Sequence, residues 1–401
     1  MGIFISVYYK QTPMPPPQTS IPASASKGRE RFRAAREVLE RAIEERAFPG
    51  AAWGVLLDGE VVALDAAGRF TFDRDSPEVT PSTIYDLASL TKVMVTTAMA
   101  MLLYDKGREN RGQFHQGPRG VLDLDARLGD ILPGFVIGRE HGLHKERVTL
   151  RMLLAHSSGL PGYGRLFERH QTPEAMLRAA LHMPLAAQPG ERAEYSDIGF
   201  ILLGKALEVL SGDLMVRFFS REIASPLRLE TARFCPPEDW RTHIPPTEDD
   251  RVYRRRVIQG EVQDENCHAL GGVAGHAGLF AHALDVLRFA GCILAEGRMA
   301  PGRQLFQPET VKLFATREAG PPGTTRALGW DTPSEPSSSG RHFSARSIGH
   351  LGYAGTSLWI DPERRLAVVL LTNRTWPDRS NTAIQEVRPA FHDAVAEGIT
   401  V

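Results

Sequence analysis

Apolar residues recur every three or four positions at Phe32, Ala35, Val38, Leu39, Ala42 and Ile43, which predicts an amphipathic helix over residues 28–46. The period then shortens. Ala51 to Leu57 and Val61 to Ala66 read as strands, joined by Asp58-Gly59, a dipeptide suited to a tight hairpin turn. A second such pair lies far along the chain, at Thr356 to Ile360 and Leu366 to Thr372, with Asp361 to Arg364 as its turn. A helical stretch follows from Asn381 to Glu397.

Between these ends the helical period dominates, over 90–106, 150–156, 173–181, 199–211, 214–223 and 284–296. Strands at both ends and helices between them predict an α+β fold. An antiparallel sheet built from both chain ends is flanked by the terminal helices and carries a large, mainly helical insertion. The expected domain spans 28–397, with an α/β part at about 28–90 and 340–397 and a helical part at about 91–339. Residues 1–27 read as a disordered leader, because 11–27 are rich in Pro, Ser, Thr and Gln.

Composition narrows the function classes. The chain has 401 residues, 42% hydrophobic and 24% charged, with a formal net charge of -1, enough for a sizeable core and without the basic face that nucleic-acid binding needs. No run of 18 or more apolar residues is present, so no transmembrane helix is expected. Met1 to Lys10 carries a short apolar run with no basic region before it, which is a poor signal peptide and points to the cytoplasm rather than export. Gly2 and Ser6 match a myristoylation pattern that is common by chance. Cys235, Cys267 and Cys292 are far apart and odd in number, which predicts reduced, mostly buried thiols.

The chemistry centres on Ser89-Leu90-Thr91-Lys92, where a strand-and-loop segment gives way to a helix. Positions i and i+3 share a helix face, so Lys92 is expected to place its amine beside the Ser89 hydroxyl. A lysine activates a serine if burial or nearby cations lower its pKa, and the helix N-terminus favours a developing oxyanion. Tyr195-Ser196-Asp197 precedes the helix expected from Gly199, and a tyrosine beside a lysine serves as phenolate or proton relay. His350-Leu351-Gly352 precedes a strand, where a small residue lets an acyl substrate lie against the strand edge.

In this order the three elements resemble the serine β-lactamase and penicillin-binding-protein superfamily. The likeness is closest to its class C-like branch of β-lactamases, β-lactamase-like carboxylesterases and D-Ala-D-Ala carboxypeptidases. It extends to Tyr85–Lys92, Leu153–Tyr163, Pro189-Gly190-Glu191, Ala269–Phe280 and Gly349–Pro362. The resemblance implies a β-lactamase/transpeptidase-like fold and a serine hydrolase that forms an acyl-enzyme with small esters, amides or peptides, needing neither metal nor organic cofactor. Ser89 would be the nucleophile, with Lys92 and Tyr195 sharing the proton transfers. Backbone N–H groups of Ser89 and Tyr353 would form the oxyanion hole, and Asp197, His350 and Gly352 would line the substrate cleft.

Two departures bear on the substrate. His350 replaces the family's usual lysine, which helps hold a substrate carboxylate, and histidine is largely neutral at pH 7. Asp197 stands where asparagine is frequent and adds a negative charge. Both lean away from an efficient β-lactamase. A β-lactamase proper and a non-catalytic penicillin-binding or sensor protein on the same fold are the neighbouring readings. A metal hydrolase using His268, His276 and His282 fits poorly, because spacings of 8 and 6 do not place two ligands on one helix face. An α/β-hydrolase wants a G-x-S-x-G elbow, and none occurs.

Overall fold

The structure, a computed structural model, describes residues 22, 28–109, 121–136, 144–299 and 302–400. Apart from position 22, the expected leader over 1–27 lies outside the described residues. The elements that position the site are helix α1 (Arg33–Glu44), strands β1 (Gly50–Leu57) and β2 (Glu60–Gly68), and helix α2, π-helical over Lys92–Thr97 and α-helical over Ala98–Glu109. After them come α3 (Asp197–Ser211), α4 (Ala283–Leu294), β3 (Ile348–Leu351), β4 (Ser357–Asp361), β5 (Leu366–Thr372) and α5 (Ile384–Thr400).

The five strands form one sheet in the order β2-β1-β5-β4-β3, with every neighbouring pair antiparallel. β5 therefore joins the strands from the two chain ends, pairing Trp53 with Leu370 on one side and Trp359 with Val368 on the other. Asp58 and Gly59 both adopt positive φ, 53° and 84°, as a hairpin turn between right-twisted strands requires. In the second hairpin the Asp361 carboxylate accepts the backbone N–H groups of Glu363 and Arg364 and closes the turn.

Alternation along the strands separates two cores. Ala51, Trp53, Val55, Leu366, Val368 and Leu370 face Phe32, Ala35 and Leu39 beside α1 and Phe391 and Val395 of α5. Their neighbours Ala52, Leu56, Val369 and Leu371 face the other way, into the core shared with α4 and the helical region. Both faces are covered, so β5 is buried at every position even though the sheet is antiparallel. Helix α4, from the middle of the sequence, lies directly on β1 and β5.

The helical region starts beneath the sheet. α2 and α3 cross in its centre, and α3 is buried along most of its length. Ser196 caps α3 by accepting the Gly199 N–H at 2.9 Å. No helix among the described residues is long and apolar enough to cross a membrane. All three cysteines are free; Cys267 and Cys292 are buried and Cys235 is exposed.

The outer core hinges on aromatic packing, with Phe391 edge-on to Trp53 at 5.7 Å between ring centres. Phe391→Ala is expected to cost about 3–5 kcal/mol, seen as a lower urea midpoint at unchanged m. A loss below about 1 kcal/mol would mean that α5 is only loosely docked.

Candidate active site

The turn that carries Ser89 is held from below. Asp86, in a two-residue strand Tyr85–Asp86, accepts the Ala88 N–H at 2.8 Å and the Gln263 N–H at 2.7 Å. Burial pushes its carboxyl up to about 6 against those two bonds. Ala88 then takes φ 48°, a left-handed conformation that costs a residue with a Cβ some strain. The N–H groups of Leu90, Thr91 and Lys92 reach back only three residues, to Leu87, Ala88 and Ser89, and the helix widens into its π turn directly afterwards. A tight turn followed by a wide one presents the Ser89 side chain at the head of α2. π turns of this kind gather at functional sites.

Lys92 sits on that π turn with no solvent exposure. Its three ammonium protons have three acceptors: Ser89 Oγ at 2.9 Å, Asp197 Oδ1 at 2.6 Å and the His276 carbonyl at 3.0 Å. Burial alone would push this amine down. The Asp197 carboxylate opposes this most strongly, and Lys92 is held above the usual lysine value. Asp197 is thus the counter-ion of Lys92, and its charge is not an unpaired one facing the cleft.

The third acceptor explains the glycine-rich segment before Phe280. Gly275 lies flush against α3, where a Cβ would come within 3.0 Å of the Gly204 Cα and closer still to the Phe200 carbonyl. Its own carbonyl accepts Thr96 Oγ1 at 2.7 Å, and the next carbonyl, that of His276, reaches Lys92. The His276 ring meets Asp264 at 2.8 Å. His282 instead caps α4 by accepting the Asp285 N–H, and His268 lies 3.6 Å from Glu261. The three histidines therefore face three separate partners.

Tyr195 Oη is 2.8 Å from Ser89 Oγ, and burial raises this phenol's pKa although Lys92 opposes the rise. Its ring is flanked by His156 at 4.6 Å and His350 at 5.9 Å, and Arg326 lies 5.6 Å from its centre. His156 Nδ1 accepts the Ser196 N–H, which fixes its tautomer and seats the tyrosine segment. His350 lies within β3, 2% exposed, with Nδ1 donating to the Leu351 carbonyl at 2.8 Å. Burial and the nearby cations Lys92 and Arg326 push the His350 pKa well below its usual value, so its ring is neutral.

The opposite wall is the turn after β3. Gly352 is pressed against the turn that carries Ser89: a Cβ there would lie 2.7 Å from the Leu87 carbonyl. Thr356 Oγ1 donates to that same carbonyl at 3.0 Å and ties the two turns together. Tyr353 projects outward, 48% exposed, and the backbone N–H groups of Ser89 and Tyr353 have no acceptor among the described residues.

The structure brings Ser89, Lys92, Tyr195 and Asp197 into one hydrogen-bonded cluster and sets His350, Gly352 and Tyr353 around it. Sequence reasoning missed the His276 carbonyl, Asp86 and Arg326. Asp86 stood in a block that had been singled out, three residues before Ser89. A backbone carbonyl carries no residue signature, and Arg326 comes from a loop with no motif.

The chain matches the Beta-lactamase family over residues 35–388. An N-acetylmuramyl-L-alanine amidase of Bacillus subtilis (strain 168) is 31% identical over 379 residues, spanning 86% of this chain and 81% of the relative. A candidate D-alanyl-D-alanine carboxypeptidase of Escherichia coli (strain K12) is 31% identical over 326 residues, spanning 74% of this chain and 70% of the relative. Among solved structures, a penicillin-binding protein homologue from Caulobacter crescentus superposes with a TM-score of 0.69 at 20% identity, covering 92% of this chain and 98% of that one.

Asp197→Asn leaves Lys92 buried without its counter-ion, so its pKa is expected to fall by about one unit or more, read by NMR titration of the labelled lysine amine. A raised folded pKa stabilises below the ordinary lysine value and is lost as pH rises through the folded one. The variant therefore also loses part of its stability at neutral pH. An unmoved Lys92 titration would show that another group holds the charge.

Proposed function

Because the chain belongs to the Beta-lactamase family and is a serine hydrolase, we propose that Ser89 attacks the carbonyl carbon of a small ester, amide or peptide and carries the acyl group. One observation supports this most: a serine oxygen within 2.9 Å of a buried lysine amine and 2.8 Å of a tyrosine hydroxyl, at the head of a helix.

The proton traffic follows from the charges. Lys92 keeps its proton and acts by its positive charge, steadying Ser89 Oγ as negative charge grows on it. Tyr195 is protonated at rest and works as a relay. It takes the Ser89 proton while passing its own to the leaving oxygen or nitrogen, whose bond to the carbonyl carbon then breaks. The carbonyl electron pair moves onto oxygen, which the N–H groups of Ser89 and Tyr353 receive. Water then attacks the acyl-enzyme, and its proton returns through Tyr195 to Ser89 Oγ.

Arg326 supports a peptide carrying a free carboxylate over a neutral ester. It replaces, from a different loop, the cation missing at His350, and it lies beside the Tyr195 ring with a 3.5 Å ion pair to Asp331 as its one ion pair among the described residues. Asp197 does not oppose an anionic ligand, since Lys92 neutralises it. The amidase and the candidate carboxypeptidase among the relatives fit such a substrate.

Ser89→Ala and Tyr195→Phe are expected to lower turnover of a short p-nitrophenyl ester and of a D-Ala-D-Ala peptide by about 10³-fold or more. Arg326→Ala should raise KM for the peptide by about tenfold and leave the ester within about twofold. Near-normal ester turnover in Ser89→Ala would sink the mechanism, and equal effects on both substrates would sink the role of Arg326.

A further inference from the structure

Arg388 of α5 is a buried cation, 7% exposed, with no carboxylate within ion-pair distance among the described residues. Its side chain bonds to backbone carbonyls among the described residues: Nη2 donates to Gly352 O at 2.7 Å and to Thr356 O at 2.9 Å. Nε has no partner among the described residues. A buried charge without a counter-ion is unfavourable, and an apolar side chain of the same length would be tolerated better here. The position therefore asks what the cation does.

The answer lies in the peptide plane. Gly352 C=O and Tyr353 N–H belong to one trans peptide group, so they point in opposite directions and turn together. A donor that pins the Gly352 oxygen from the side of α5 also aims the Tyr353 N–H away from α5. On that far side lies the nucleophile's turn, tied to this one through Thr356 Oγ1 and the Leu87 carbonyl. The neighbouring carbonyls are fixed as well. Arg374 Nε donates to Tyr353 O at 2.7 Å, and the Arg374 N–H donates to Ala354 O at 2.9 Å. A full positive charge on the Gly352 oxygen also polarises the amide and makes its N–H a stronger donor.

We propose that Arg388 is a positioning residue for the oxyanion hole: its grip on the Gly352 carbonyl, added to the 3.0 Å turn bond from the Gly355 N–H, holds the Tyr353 N–H toward the oxygen that becomes negative during acyl transfer. This rests on the Ser89 acyl-enzyme reading. It assigns a role in catalysis to the terminal helix, one that does not touch substrate. His392, one turn further along α5, meets Ser357 Oγ at 3.2 Å and helps register the helix against the same strand.

The test uses the full chain with Arg388→Met, which keeps a flexible apolar stem and removes the donors, and with Arg388→Lys. The expected result for Arg388→Met is a kcat about 10²-fold lower on a short p-nitrophenyl ester, with KM changed by less than about threefold. Affinity for phenylboronic acid, whose tetrahedral adduct on a serine places an oxygen in the hole, should fall in step with kcat. The melting temperature should not drop, because an unpaired buried charge has been removed. A purely structural residue would give the reverse, a lower melting temperature with kcat per folded molecule intact. Folded Arg388→Met with kcat and phenylboronate affinity within about twofold of wild type would overturn the inference. If that variant does not fold, Arg388→Lys decides: a smaller loss of the same kind supports the inference, and wild-type kcat with wild-type phenylboronate affinity overturns it. Ser89→Ala separates the two readings. Turnover that survives it removes the acyl-enzyme reading itself, whereas turnover lost there but kept in Arg388→Met removes only the role of Arg388.

Discussion

A lysine ammonium with no solvent exposure has to be satisfied entirely by protein, and much of this molecule can be understood as the means of doing so. Lys92 needs three acceptors, and they come from three segments, two of them remote: its own helix at Ser89, the start of α3 at Asp197 and the carbonyl of His276. Leaving any one unmade would strand part of a buried charge. Hence the Ser196 cap that fixes where α3 begins, and the side-chain-free contact of Gly275 with α3 that brings the His276 carbonyl close. Ser89 is one of the three acceptors, so satisfying the cation and orienting Ser89 are a single requirement.

The sheet contributes the other half of the cleft. Its turn between β3 and β4 is drawn against the turn that carries Ser89 by a hydrogen bond from Thr356 and by the lack of a side chain at Gly352. The carbonyls of that turn are held by arginines from behind, Arg374 just after β5 and Arg388 on α5. One wall is thus organised by a charge in front of it and the other by charges behind it.

Elements governed by local pattern were legible in the sequence. The Asp58-Gly59 hairpin, the helix over 173–181 and the helix that Ser196 caps all lie where period and turn chemistry placed them. The pairing of Ser89 with Lys92 followed from helical spacing, and Tyr195 joined them only through a family likeness. What depends on distant contacts was not legible. Spacing allowed an activated, neutral Lys92, but Asp197, 105 positions away, reverses that. His350 lies ahead of the expected strand, β4, and also inside a further short strand, β3, that only its pairing with β4 defines. Helix α4 belonged by sequence to the helical insertion, yet its apolar stripe is satisfied by β1 and β5.

The strand order has a consequence for how the protein comes into being. β5, which bridges the strands from the two ends, is the last of the five to be translated, and the carbonyl grip of α5 comes later still. Until both emerge from the ribosome, β1 and β2 are a lone hairpin with an unpaired edge, and such a hairpin is marginal in water. The wall that faces Ser89 does not exist during that time. A nascent chain therefore lacks the facing half of the cleft even after Ser89, Lys92 and Tyr195 have all been made. Because the decisive pairings span nearly the whole described chain, completion of the site is tied to a slow, high-contact-order step.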